Sequence, residues 1–373
     1  MKKHGEAFVG IDTAKTRNAV AVAETGRRGE IRYLGEYDTT PDAVAKLVRR
    51  LADRYEVLHF CYEAGPTGYG LYRQILALGH NCTVVAPSMI PRKPGERVKT
   101  NRRDAQGLAR MHRAGELTAV WVPDATHEAV RDLVRARSAA AEDYRRKRQQ
   151  VSSFLLRHGR SFARSTTWKG QHLRWLNAQN FTHPAQRLAY QESLNAAFTA
   201  AERVIHLEAM LEEIIPAWTM APVVAAFQAL RGVAFTTAAT VVAEAGDLRR
   251  FDHPRQLMAF LGLVPSERST GETRRQGGIT KTGNIRARRT LIEAAWTYRY
   301  PAGIGDAHQR RQTELPQKVR NIAWKAQVRL CARYRRLMAK GKRKAVATTA
   351  IARELAVFMW GIAAHVDPTA IAE

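Results

Sequence analysis

The chain has 373 residues, 45% of them apolar, and carries 60 Lys and Arg against 34 Asp and Glu, a formal charge of +26. That is long enough for two or three packed domains and too apolar for a disordered tail, and so large an excess of positive charge selects a polyanionic partner whose binding weakens steeply with salt. Cys61, Cys82 and Cys331 are far apart with no Cys-x-x-Cys or Cys/His spacing, and only a short apolar run follows the N-terminal Met-Lys-Lys. These features exclude a disulfide framework and structural zinc, fit a reducing cytoplasm, and predict neither an exported nor a membrane protein.

Residues 8 to 122 alternate between strand and helix signals. Phe8 to Asp12, Ala19 to Ala23 and Ile31 to Tyr37 are β-rich runs separated by turns, which predicts two consecutive hairpins. Thr40 then Pro41 reads as an N-cap and a first-turn proline, opening a helix to about Arg54. A strand from Val57 to Glu63, a helix from Gly68 to Leu78, a strand from Cys82 to Ala86, a helix from Asp104 to Ala114 and a strand from Thr118 to Val122 complete the series. The pattern implies a mixed sheet covered by helices.

Beyond about Ala125 the signals are helical. Val130, Val134, Ala141, Tyr144, Val151 and Leu155 form one apolar stripe, and Leu194, Phe198, Ala201, Ile205 and Leu211 form another. Two such helices make an antiparallel hairpin or a dimerising coiled coil, although Arg137 and Arg148 interrupt the first stripe. A polar segment, Ser161 to His183, holds Trp168 and Trp175 between them. From Pro216 onward the chain is helical again, with Trp296, Trp324 and Trp360 as expected core anchors, and Leu230 to Gly246 resembles a helix–hairpin–helix or a plain helical hairpin. Residues 263 to 284 read as a glycine-rich, hydroxyl-rich, basic loop. The fold class is therefore α/β plus all-α, with boundaries at 1–124, 125–215 and 216–373.

Asp12 and Glu63 each close a buried-looking strand, where an unpaired carboxylate is costly. If these strands are parallel neighbours, both carboxylates emerge at the carboxyl edge of the sheet, where α/β folds place their sites. Together with Asp104 they form a hard-oxygen set suited to Mg²⁺, which completes its shell with water and substrate phosphate. Asn101 sits three residues before Asp104 and serves either as a helix cap or as a ligand.

Four motifs carry a resemblance: Gly10-Ile-Asp-Thr-Ala-Lys15, Tyr62-Glu-Ala-Gly-Pro-Thr-Gly68, Lys99-Thr-Asn-Arg-Arg-Asp-Ala105 and Gly262-Leu-Val-Pro-Ser-Glu267. In this order, over nearly the whole chain, they resemble the insertion sequence 110 family of DEDD transposases. The resemblance implies a RuvC-like N-terminal domain of RNase H fold with the first and fourth strands adjacent. It also implies a metal tetrad at Asp12, Glu63, Asn101 and Asp104, with Asn101 standing where the family has an aspartate. A C-terminal nucleophilic serine precedes a glycine in that family. Strict alignment places Thr270 in that column, whereas Ser269 is the less hindered hydroxyl.

Arg102, Arg103, Arg274, Arg275, Lys281, Arg286, Arg288 and Arg289 are expected phosphate contacts. The implied activity is Mg²⁺-dependent DNA strand cleavage and exchange through a covalent Ser or Thr phosphodiester, with double-stranded DNA at the element ends and target as substrate. The implied partners are a non-coding guide RNA and a second or fourth copy of the chain, in the cytoplasm at the nucleoid. Two alternatives stay open: a hydrolytic nuclease or junction resolvase, and a catalytically weakened nucleic-acid-binding protein.

Overall fold

A computed structural model describes residues 4–26, 28–91, 100–163, 167–271 and 273–368; Lys99 of the third motif and Glu272 lie outside them. The chain divides into two compact units, 1–122 and 123–373.

The first unit is built on β1 (His4–Asp12), β2 (Arg17–Glu24), β3 (Ile31–Asp38), α1 (Pro41–Ala52), β4 (Tyr55–Glu63), α2 (Gly70–Ala77), β5 (Asn81–Val85) and α3 (Asn101–Arg113). The sheet order is β3-β2-β1-β4-β5. β1, β2 and β3 pair antiparallel, while β4 runs parallel to both β1 and β5. The first and fourth strands are thus neighbours, as expected. Residues 118–122, predicted as a strand, make only a single bridge, Val85 to Ala119, and the chain then meets Pro123, which has no N–H to extend a ladder.

Side-chain alternation sorts the sheet into two faces. Ala7, Val9, Ile11, Val20, Val22, Leu58, Phe60 and Tyr62 pack with Val44, Leu47, Val48 and Leu51 of α1. The opposite face is small where α3 crosses it, because Ala19, Ala21 and Ala23 of β2 meet Ala105 and Ala109. Gly10 makes the approach closest. A Cβ there would lie 2.4 Å from Ala105 O and Ala109 N and 2.9 Å from Leu108 Cβ. Gly10→Ala is therefore expected to push α3 off the sheet and cost about 3 kcal/mol. Urea unfolding of the full chain would show the loss, and an unchanged midpoint would refute the packing argument.

The second unit opens with α4 (Ala125–Arg157), α5 (Gln171–Asn177) and α6 (Pro184–Ile214). Val130 and Val134 share a core with Leu211, whereas Val151 and Leu155 share one with Tyr190 and Leu194, so α4 and α6 run antiparallel. Arg137, which looked like a break in the stripe, bonds Glu208 across this hairpin. Ile205, assigned to the apolar stripe, is 66% exposed.

The unit continues through α7 (Ala221–Phe227), α8 (Phe235–Ala245), α9 (Pro254–Phe260), β6 (Pro265–Thr270), β7 (Thr273–Ile279), α10 (Ile285–Ala295), α11 (Asp306–Arg310), α12 (Gln317–Ala339) and α13 (Lys344–Ala363). By length and apolarity α13 would pass for a membrane span, but it is a core helix here, with Ile351, Leu355, Met359 and Ile362 fully buried. Of the three expected tryptophan anchors, Trp360 donates Nε1–H to Phe251 O at 2.8 Å, and Trp324 is instead 46% exposed. Trp218, not singled out from the sequence, is a buried indole, 2% exposed.

Candidate active site

The register between β1 and β4 pairs Ile11 with Tyr62, so the next step sets Asp12 beside Glu63 at the carboxyl ends of two parallel strands. Both side chains share the parity of Gly10 and Cys61, which face α3. Thr67 Oγ1 donates to Thr13 Oγ1 at 3.2 Å and ties together the loops that follow the two strands. Asp104 immediately precedes Ala105, whose carbonyl lies over Gly10, and its Oδ2 is buried. Sheet and helix thus present Asp12, Glu63 and Asp104 on one side.

Among the described residues, no group of three or more His, Cys, Asp or Glu is gathered tightly enough to hold a metal ion. The donor chemistry still fits a hard cation. Mg²⁺ needs only one or two carboxylates from protein, and Asp12 and Glu63 supply two oxygen donors half-open to solvent at adjacent strand ends. The field of Asp12 reaches Tyr33, whose phenol is raised by burial first and then by the charges of Glu36 and Asp12, against the lowering effect of Arg102.

Asn101 is not the cap of α3. Thr100 is, its Oγ1 accepting from Arg103 N at 3.3 Å, so the helix begins three residues before the expected start at Asp104. Asn101 occupies the first helical position with an exposed side chain. Arg102 sits with its guanidinium 5.5 Å over the Tyr33 ring, and Arg103 is exposed.

In the second unit, the segment predicted as a loop is a hairpin, β6 paired with β7 around Gly271. Neither face of this ribbon is buried, so it lacks the apolar alternation that marks a half-buried strand. Ser269 Oγ donates to Glu267 Oε1 at 2.8 Å, and Arg274 Nη2 donates to Glu267 Oε2 at 2.7 Å. These three residues share a face, because Ser269 pairs with Arg274 and Glu267 lies two positions before Ser269. The bond from Arg274, then that from Ser269, holds the Glu267 carboxyl below its ordinary range. Thr270 pairs with Thr273, and its side chain takes the opposite face. Arg275 and Lys281 are exposed.

The base of the ribbon is fixed. Arg288 is 8% exposed and donates Nη1–H to Leu261 O and Thr282 O, both at 2.9 Å. It is therefore a structural clasp and not the phosphate contact expected of it. Gly262, with φ +62°, leaves no room for a Cβ, which would lie 2.1 Å from Thr282 O. Arg286 and Arg289 stay half-exposed; Arg286 is 3.9 Å from Glu244, and Arg289 lies between Glu142 and Glu293.

Glu244 of α8, not singled out from the sequence, anchors this region. Its side chain is 1% exposed, accepts from Arg135 Nε and Nη2 at 2.7 and 2.8 Å, and accepts from Asn284 Nδ2 at 2.8 Å. Asn284 also caps α10, just past the ribbon. Burial pushes the Glu244 carboxyl up, but the bonds from Arg135 and Asn284 and the charges of Arg135 and Arg286 outweigh it and leave it below the ordinary value. A carboxyl depressed in the folded state stabilises above its unfolded pKa and loses that contribution as pH falls through the folded value. Glu244→Gln is expected to cost about 2 kcal/mol at pH 7, less than the ~3–5 kcal/mol of a fully buried broken pair, because Arg135 is 40% exposed and rehydrates. The deficit should shrink in acid, measured as urea midpoints from pH 7 down to pH 3.

Comparison with known proteins matches this layout. Residues 9–159 match the DEDD-type insertion sequence 110 family described as "Transposase", and residues 224–307 match the "Transposase IS116/IS110/IS902 family". The chain is 56% identical over 364 residues to "Putative transposase y4qE" of Sinorhizobium fredii, covering 98% of this chain and 90% of the relative. It is 30% identical over 343 residues to the "Transposase for insertion sequence element IS1533" of Leptospira borgpetersenii, covering 91% and 98%. A five-stranded sheet with two carboxylates at adjacent strand ends, a helical second unit, and relatives aligned along almost their whole length agree in one assignment: the chain belongs to the insertion sequence 110 family of transposases, enzymes that cleave and rejoin DNA.

Proposed function

We propose that this transposase moves its element through a covalent protein–DNA intermediate formed by Ser269. The observation that carries the reading is the Ser269 hydroxyl donating to Glu267, whose second oxygen is held by Arg274. Ser269 Oγ bonds to the scissile phosphorus and its proton passes to Glu267, while one bridging P–O bond of the strand breaks and the leaving strand oxygen takes a proton from solvent to become a hydroxyl. A free strand hydroxyl then attacks the same phosphorus, losing its proton to solvent, and the P–O bond to Ser269 breaks as Glu267 returns the proton to Oγ. Bond energy is conserved, so no nucleotide cofactor is required.

Asp12, Glu63 and Asp104 are the residues that would hold Mg²⁺, with Asn101 as a neutral fourth donor. The ion supplies charge stabilisation at the phosphoryl oxygens. Arg274, Arg275, Lys281, Arg286 and Arg289, with Arg102 and Arg103, supply phosphate affinity that falls with salt.

The family resemblance extends the proposal to a non-coding guide RNA that selects donor and target by base pairing, and to a dimer or tetramer, since strand exchange requires two duplexes at once. The test is to incubate the protein with its element ends, with and without Mg²⁺, and to resolve the products on a denaturing gel. A slow-migrating adduct whose phosphopeptide contains Ser269 supports the proposal. Nicked DNA without an adduct identifies water as the nucleophile and overturns it.

A further inference from the structure

The C-terminal half of α4, the segment that follows it and α5 line an open cavity of about 590 Å³, within the roughly 300–1,000 Å³ range of small-ligand sites. One wall is aromatic. His172 and Trp175 stack at 5.6 Å and 17°, and Phe162 lies 4.7 Å from His172 and 5.4 Å from Trp175. Arg145, Arg148 and Arg160 also line the cavity, Arg145 pairing with Glu142 and Arg160 bonding Gln179, and no carboxylate lies among the described residues that line it.

Trp168 closes the site in an unusual way. It adopts φ +60°, a costly conformation for a bulky side chain, and is held there by its own N–H donating to His172 Nδ1 at 2.7 Å. Its ring carries the Arg148 guanidinium 5.3 Å over its face. Burial, then the charge of Arg148, lowers the His172 pKa and keeps the imidazole neutral, as the bond accepted at Nδ1 requires.

We propose that this cavity binds an unpaired nucleotide of a single-stranded nucleic acid, its base stacked on the Trp175/Phe162 wall and its phosphate met by the arginines. Flat apolar rings recognise a base face whatever its sequence, and guanidinium groups in the same cavity recognise the attached anion. Duplex DNA keeps its bases stacked and cannot fill the aromatic half. The inference stands apart from the catalytic reading, because it needs only nucleic-acid binding.

The probes are short single-stranded RNA and DNA oligonucleotides carrying one 2-aminopurine, alongside a duplex of the same length, titrated with the full-length protein. Stacking predicts quenched 2-aminopurine emission on at least one single strand. Trp175→Ala is expected to abolish the quench and weaken single-strand binding about tenfold while leaving duplex affinity unchanged, and Trp175→Tyr, which keeps a ring in place, to restore most of it. Dependence on Trp175 with RNA, with DNA or with both supports the site and identifies its source. Absence of quenching with the wild-type protein overturns the proposal, as does equal loss on the duplex or a changed oligomeric state with affinity intact, which would mark the cavity as a contact between copies.

Discussion

Ser269→Ala is expected to abolish the covalent DNA adduct, lowering its rate at least about a thousandfold, while Thr270→Ala retains it. Sequence alignment alone favours Thr270, which stands directly before Gly271. The ribbon separates the two hydroxyls: Ser269 lies on the face of Glu267 and Arg274, and Thr270 on the other. A weakly acidic hydroxyl gains from a positioned acceptor, so Glu267→Gln should slow adduct formation about a hundredfold with Ser269 still present. Arg274 keeps the Glu267 carboxyl below its ordinary range. The wild-type rate should therefore hold from neutral pH down into mild acid and fall only as pH drops through that lowered value, whereas the Gln variant should lack this acid limb. An adduct that survives Ser269→Ala and disappears with Thr270→Ala would assign the chemistry to the other face.

Asp12→Asn is the second large effect. The substitution keeps the size and planarity of the side chain at the end of β1 and removes its charge from a site that, on the present proposal, neutralises a divalent cation. Cleavage is expected to fall at least about a thousandfold, with the melting temperature and salt-dependent DNA affinity essentially retained. Glu63→Gln on the neighbouring strand should behave alike. Asn101→Asp works in the other direction: the first position of α3 is exposed, and a carboxylate there also favours the positive end of the helix. It is expected to lower the Mg²⁺ concentration for half-maximal cleavage severalfold. Titrating Mg²⁺ against nicking of the element ends measures all three. Full activity of Asp12→Asn would remove the carboxylate edge from the mechanism.

How much of this was legible in the sequence depended on whether local pattern and tertiary burial agree. β1, β2, α1 and β4 carry apolar runs, turn residues and the Thr40–Pro41 cap, and each lies where its pattern indicates to within a few residues. The neighbouring positions of Asp12 and Glu63 followed from the resemblance and from parallel-strand geometry. The β6–β7 ribbon did not follow, because two strands exposed on both faces have no hydrophobic period, and its composition is that of a loop. Glu244 and Arg288 were missed or misassigned for a related reason. A charge within a helix reads as solvated, and only the partners brought from α4 and from residues 261 and 282 show that it is enclosed. Trp324 illustrates the converse, a large ring whose helix turns it outward.

The clasp at Arg288 separates what holds the second unit together from what the ribbon presents. Residues 267–270 and 273–276 bear almost none of the interior, so amino-acid exchanges there leave folding nearly untouched, while Arg288, which grips the carbonyls of Leu261 and Thr282, and Gly271, at φ +55°, tolerate little. The strip is in effect an interchangeable tool head on a rigid handle. A library randomised across it would report directly on cutting and joining, with no correction for lost protein.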